Sequence, residues 1–321
     1  MAQAARSGRD PAKRGYVMTA PAVPVCYRHP GRETYVSCTR CSRPICPDCM
    51  TEASVGFQCP ECVSEGRRTQ PPARSAFGGS RTAGAGGYVT KTLVGLNVLG
   101  LVVGAAMVGL PAVIGDGLFT GVTKLQMLFG DFGPSYRISS EFVPPGAEVG
   151  QVYTGIDDGA VYRLLTSMFI HYGILHLALN MWALWMLGRS LEYALGPVRY
   201  IALYVLSGLG GAVAGYMFSP DAIGAGASGA IFGLFAALFI VLKKLRRDTS
   251  TVIPVILINL VFTFTVPNIS IAGHLGGFVV GGLVAFGLVY APRNGRTAVQ
   301  VATVAGVAVL LAAATAMAML I

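Results

Sequence analysis

Carboxylates are scarce in this chain. Its 321 residues hold 15 Asp and Glu, only 12% of all residues are charged, and 53% are hydrophobic. Soluble globular proteins are about 25% charged, so the composition excludes an ordinary soluble domain. None of the long apolar runs contains an acidic residue. Intramembrane acids are the usual mark of ion-coupled transport, so their absence argues against a transporter. It also denies any serine site inside those runs the buried carboxylate of a Ser-His-Asp triad. Cysteine is missing after Cys62, and all seven cysteines lie between Cys26 and Cys62. Residues 1–20 are polar and basic with no apolar core, so no secretory signal is expected. An odd number of clustered cysteines in that setting speaks against a disulfide framework and for metal. The net charge of +9 raises the question of nucleic acid. Much of the excess sits in a Gly/Arg-rich stretch and in loops at membrane edges, so no nucleic-acid partner is expected.

What is present divides into a polar head and an apolar body. Residues 1–24 read as a disordered basic tail, 25–65 as a small metal module and 66–90 as a flexible linker. The linker reading rests on Pro, Gly, Ser and Arg with almost nothing to bury. Residues 91–321 read as an all-α polytopic membrane domain. Its apolar segments approach the ~20 residues that a helix needs to cross a bilayer. They fall near 92–114, 169–188, 200–218, 227–245, 251–267, 271–290 and 298–320, the fifth being short and containing Pro254.

Basic residues in short loops set orientation. Lys243, Lys244, Arg246 and Arg247 mark one cytoplasmic loop, Arg189 and Arg199 a second, and Arg293 and Arg296 a third. All three agree if the chain crosses seven times from a cytoplasmic N-terminus. The segment 115–160 then lies outside. The second, fourth and sixth spans run inward, which places His171, His176, Asn180, Ser228 and His274 in the outer half of the bilayer. Polar groups there are costly, so a functional role is their default reading. His176 and Asn180 are spaced i, i+4 and share a helix face. Ser228 opens its span, where unpaired amides and the positive dipole end favour a developing oxyanion. The most these residues supply is a dyad, with Ser228 as nucleophile and His274 as general base. Taken one at a time, the glycines around Ser228 also suit close helix packing, and His176 with Asn180 an interhelical hydrogen bond.

Three motifs in order resemble the rhomboid family of intramembrane serine proteases. They are His176-Leu-Ala-Leu-Asn180 with its Met-Trp-Ala-Leu-Trp tail, Gly226-Ala-Ser228-Gly229-Ala-Ile-Phe232-Gly233, and Gly273-His274-Leu-Gly276-Gly277 with Gly281. The resemblance implies a six-helix bundle plus a seventh C-terminal helix, Ser228 and His274 as catalytic dyad, and His176 and Asn180 as oxyanion donors beside amides near Ser228. It implies that Gly277 lets the fourth and sixth helices pack closely. Phe232 stands where some members have Tyr, and the Trp-Arg pair of some first external loops is absent. The expected activity is endopeptidase cleavage of transmembrane or juxtamembrane segments in a cell-membrane, multi-pass protein, with the site opening to the external face and no cofactor in catalysis. The alternative is a catalytically inactive relative that binds transmembrane helices for quality control.

In the head, Cys26-x2-His29, Cys38-x2-Cys41, Cys46-x2-Cys49 and Cys59-x2-Cys62 form four ligand pairs. Each x2 spacing lets two side chains bite one tetrahedral zinc, and four pairs make two closed, structural sites. An iron–sulfur or redox role fits the spacing less well. The order resembles B-box-type zinc fingers. That resemblance implies interleaving, with Cys26, His29, Cys46 and Cys49 on one ion and Cys38, Cys41, Cys59 and Cys62 on the other, though sequential pairing is also open. So small a segment lacks a sufficient core, and the metals would supply most of its folding energy. The head is expected in the cytoplasm, where it could meet a protein partner.

Overall fold

A computed structural model describes residues 23–69, 75–115 and 121–320. The disordered tail expected over 1–24 falls almost wholly outside them. The chain forms two compact units, Met1–Pro71 and Pro72–Ile321.

The first unit is a small knot of loops. It carries a hairpin of β1 (Thr51–Glu52) and β2 (Phe57–Gln58), in which Thr51 pairs with Gln58, and a closing helix α1 (Pro60–Thr69). Its buried centre is six cysteines and Ile45, with Tyr27, Cys41, Met50 and Phe57 packed around them. That is too little apolar surface to fix so many loops unaided.

The second unit is helical. Its elements are α2 (Arg81–Ala85), α3 (Tyr88–Val108), α4 (Leu110–Ile114), α5 (Lys124–Phe129), a minimal hairpin of β3 (Tyr136–Arg137) and β4 (Val152–Tyr153), α6 (Arg163–Thr166), α7 (Ile174–Leu195), α8 (Pro197–Phe218), α9 (Ser228–Lys244), α10 (Val252–Thr265), α11 (Ile271–Tyr290) and α12 (Arg296–Ala318). Among the described residues, four helices are long and apolar enough to cross a membrane by length and composition: Ala83–Val108, Pro197–Phe218, Ile271–Tyr290 and Arg296–Ala318. A fifth is the pair Arg163–Phe169 and Ile174–Leu195, bent by 92°. With the shorter α9 and α10, each of the seven expected segments contains a helix.

Local chemistry sets the boundaries. α7 ends at Gly196, held at φ +82, and Pro197 follows at the start of α8. Glycine there takes the left-handed region without penalty, and proline at the first helical position sacrifices no hydrogen bond. Lys243 and Lys244 close α9, where cations suit the negative end of the helix dipole. The core runs between α7, α8, α9 and α11 through Leu184, Leu191, Tyr200, Leu203, Leu234 and Val284. Outside it the usual pattern inverts. Val102, Phe262, Val309 and Leu310 are all more than half exposed, as befits a surface solvated by lipid chains.

Three expectations need correction. Residues 66–90 are structured wherever they are described. Residues 66–69 finish α1, Phe77 is buried, and α2 packs against α7. One aromatic anchor and a helix cap at Ser80, which accepts from Ala83 N, suffice to order a Gly- and Ser-rich stretch. The second apolar segment breaks at Gly173, at φ +109, so His171 sits in the bend and not in the helix. α7 then continues to Leu195 and carries Glu192, a fully buried carboxylate. It accepts from Val89 N, Thr90 N and Thr90 Oγ1 at 3.0, 2.9 and 2.8 Å, satisfying orphan amides at the start of α3.

Candidate active site and metal clusters

Ser228 is the first residue of α9, and His274 lies in the first turn of α11. Both are partly exposed. His274 Nε2 lies 2.9 Å from Ser228 Oγ. The approach of their helices is set by Gly277, where an added Cβ would stand 2.0 Å from Gly229 O. No side chain fits there, so close packing of α9 on α11 requires glycine. The His274 ring stacks on Phe232 at 4.2 Å between centroids and 19° between planes.

The second imidazole nitrogen has a hydroxyl partner of its own. Thr263 Oγ1, on α10 and buried, is 2.8 Å from His274 Nδ1 and donates to Asn259 O at 2.8 Å. A hydroxyl has one proton, so with that proton on Asn259 O it faces His274 as an acceptor. In that arrangement Nδ1 carries hydrogen, and the Nε2 lone pair points at the Ser228 hydroxyl. This is the tautomer that a general base needs, set by a neutral threonine instead of a carboxylate.

His176 and Asn180 occupy the first two turns of α7. His176 Nδ1 accepts from Tyr172 N at 3.4 Å, which leaves hydrogen on Nε2. That nitrogen would lie 3.0 Å from a Cβ at Gly226. Gly226 is therefore constrained twice, by its φ of +124 and by the imidazole across from it. Asn180 Nδ2 donates at 2.9 Å to His176 O within its own helix, not to the serine. The N-terminal ends of α7, α9 and α11 thus converge on one site.

Backbone donors can be counted there. Gly226 N is taken by Ser167 O at 2.9 Å, and Ala227 N by His171 Nε2 at 3.4 Å. Ile231 N already bonds Ala227 O. The amides of Ser228, Gly229 and Ala230 precede Ile231 N, the first amide of α9 bonded along the helix, and form its positive end. His171, whose role the sequence leaves open, packs edge-on against His176 at 5.0 Å and holds the residue before the nucleophile.

Two structural supports lie outside the motifs. Asp131 pairs with Gly224 by two main-chain bonds of 3.0 and 2.8 Å, stitching the segment before Ser228 to the loop that follows α5. Burial pushes the Asp131 carboxyl up to about 7, against the opposing pull of its own amide and of Arg163. Arg163, almost wholly buried, donates to Thr154 O, Gly130 O and Met127 O at 2.8–2.9 Å and lies 4.0 Å over Phe132. This arginine anchors the loop that lacks a Trp-Arg pair. The one sequence signal for it is a lone cation at the edge of an apolar run.

The first unit brings its ligands into two groups that could hold metal ions, Cys26, His29, Cys46 and Cys49, and Cys38, Cys41, Cys59 and Cys62. The pairs interleave, and sequential pairing is not formed. His29 Nδ1 stands 3.8, 3.3 and 3.4 Å from the sulfurs of Cys26, Cys46 and Cys49, and Cys41 and Cys59 sulfurs are 3.8 Å apart. Tetrahedral zinc, with bonds of ~2.3 Å to sulfur and ~2.0 Å to nitrogen, requires donor separations of roughly 3.5–3.8 Å. The donors fit. Burial raises the Cys26 and Cys38 thiols, but nearby amides outweigh it and bring both down to about 6. Cys49 and Cys62 are pushed up to about 11 and about 12 by burial and by neighbouring sulfurs, a repulsion that a central cation would relieve.

Residues 158–291 match the Rhomboid domain family. The chain is 42% identical over 145 residues to "Rhomboid protease GluP" of Bacillus subtilis (strain 168), an alignment covering 44% of this chain and 28% of that protein. It is 34% identical over 149 residues to "RHOMBOID-like protein 5" of Arabidopsis thaliana, covering 44% and 48%. Over 138 residues it is 33% identical to "Putative rhomboid protease YdcA" of Bacillus subtilis (strain 168), covering 41% of this chain and 69% of that one. The chain thus spans less than half of the first two relatives. The family match leaves out residues 26–62.

Proposed function

The chain belongs to the rhomboid family and is a multi-pass membrane protein, and from that premise we propose that it is an intramembrane serine endopeptidase. The observation that carries this reading is the 2.9 Å contact between Ser228 Oγ and His274 Nε2, with the lone pair turned to the serine by Thr263. Ser228 Oγ attacks the scissile carbonyl while its proton passes to Nε2. The resulting imidazolium keeps its Nδ1 proton on Thr263, a positioning residue that never meets the substrate. The oxyanion is received by the Ser228 and Gly229 amides, by His176 Nε2–H and by the second hydrogen of Asn180 Nδ2. Each such donor contributes about 10²–10³ in rate where it has been removed from other enzymes. Collapse expels the amine with the proton from His274, and water then releases the acyl group with His274 again as base.

The substrates are transmembrane or juxtamembrane segments of other membrane proteins. The zinc module lies in the cytoplasm and the dyad faces the external side, a reading that the short-loop basic residues support. Each chain carries two structural zinc ions, on the two ligand groups above, and catalysis uses none. The module offers a surface to a protein partner. A fluorophosphonate probe tests the nucleophile. It is expected to label Ser228 in the wild type and to lose that reaction in His274→Ala. Labelling that survives this change would falsify the dyad.

A further inference from the structure

At the end of the bundle opposite Ser228, where α9 closes with Lys244, the start of α8, the start of α12 and residues 75–79 line an open cavity of about 540 Å³. Arg199, Arg293 and Arg296 line it, with Ser75 and Thr297, and no acidic side chain among the described residues does. Arginines at a membrane edge ordinarily spread into the headgroup region. Two of these are instead held facing each other. Arg199 Nε donates to Gln300 Oε1 at 2.7 Å, and Arg296 Nη1 to Ala76 O at 3.1 Å. Gln300 is buried and satisfied, giving its amide hydrogens to Phe77 O and Leu288 O at 3.1 and 2.7 Å. The wall is therefore built and not a gap between loose loops.

Gly78 measures the convergence. A Cβ there would stand 3.5 Å from Arg199 Nη2 and 3.6 Å from Arg296 Nη1. The two nitrogens are thus no more than about 7 Å apart, close enough for one tetrahedral anion to meet both. Residues 296–298, the first turn of the 23-residue α12, also line the cavity, and Gly295 provides no side-chain cap. Their amides add donors of the same sign. Paired guanidinium forks with hydroxyls and helix-end amides suit a phosphate group, tetrahedral and acceptor-only.

We propose that this cavity binds a phosphate-bearing anion, either the headgroup of an anionic membrane lipid or free phosphate. The site is separate from the dyad, and its test does not depend on cleavage. Full-length protein in detergent is titrated with phosphatidylglycerol and, separately, with inorganic phosphate, and binding is followed by native mass spectrometry and thermal shift. Saturable binding is expected, weakened about tenfold or more in the Arg293→Gln, Arg296→Gln double variant, since each charged hydrogen bond lost is worth about that much. Arg296 also holds Ala76, so the double variant could fail to fold. Thr297→Glu settles that case, because Thr297 is exposed and a carboxylate in the first turn of α12 favours the helix while occupying the anion's place. Competition by inorganic phosphate identifies free phosphate as a ligand, and lipid binding without such competition identifies the headgroup. The proposal is overturned if neither probe saturates, or if Thr297→Glu binds both as tightly as the wild type.

Discussion

Replacing Thr263 with valine keeps the branched shape and removes the hydroxyl. In the native site that oxygen lies 2.8 Å from His274 Nδ1 inside a buried environment, placed to accept its hydrogen. Without it the Nδ1 hydrogen has no partner from α10, and the ring is free to exchange tautomers. A neutral hydrogen bond contributes about 0.5–1.5 kcal/mol, and one to a charged group about 1.5–3 kcal/mol. The imidazole is neutral in the ground state and cationic as the tetrahedral intermediate forms, so the difference, about 1–1.5 kcal/mol, falls on the barrier. That is a loss of roughly five- to tenfold in kcat. Thr263 does not reach the substrate, so KM is expected to hold. The assay is cleavage of a fluorogenic transmembrane substrate in proteoliposomes. Thr263→Ser restores the acceptor and is expected to recover most of the rate, a rescue that a purely structural role would not produce. Full activity in Thr263→Val, or a serine variant no better than valine, refutes the orienting role.

Three other outcomes follow from the same geometry. Gly226→Ala forces a Cβ to within 2.8 Å of the His176 ring on a backbone at φ +124, strain of about 1–3 kcal/mol at the entry to the nucleophile. Fluorophosphonate labelling of Ser228 should fall at least tenfold, and unchanged labelling contradicts that packing. Asp131, with its carboxyl raised to about 7, binds a proton more tightly folded than unfolded. Its contribution is present in full below about pH 4 and is lost as pH rises through 7, by at most about 4 kcal/mol. Thermal melts of Asp131→Asn should lose that slope, and a slope equal to the wild type's rejects the assignment. Chelation should unfold the zinc module and expose residues 26–62 to protease while the helical unit keeps its far-ultraviolet signal, and metal analysis should return two zinc ions per chain. A chelated module that stays protease-resistant contradicts a metal-held fold.

The residues singled out from the sequence are those conspicuous against their surroundings. Ser228, His176 and His274 are costly in apolar runs, and short basic loops predicted that their helices start on the same side. The structure joins Ser228 to His274 and sets His176 against Gly226. Four x2 pairs made the candidate metal ligands visible, and the structure groups them in the interleaved order. Thr263 was hidden because a threonine in an apolar helix normally bonds back to its own backbone, which it also does here. Only the approach of α11 gives its oxygen a second role. Arg163 was passed over because its three acceptors lie 9 to 36 residues earlier in the chain. Phe77 was lost among glycines and arginines, since one anchor cannot outweigh the composition of its neighbours. The end of α7 was set too early because Arg189 reads as the edge of a cytoplasmic loop. Glu192 beyond it was not read into the helix, since its partners, the amides of Val89 and Thr90, are about a hundred residues away.

The central claim is that Ser228 and His274 act together on a peptide bond within a membrane. Purified full-length protein in proteoliposomes, given a single-span substrate with a membrane-embedded cleavage site, tests it directly. The account predicts cleavage in the wild type and its loss, down to background, in both Ser228→Ala and His274→Ala, with folding unchanged by thermal melt. Cleavage that persists in either variant, or a folded wild type that cuts no single-span substrate, contradicts it.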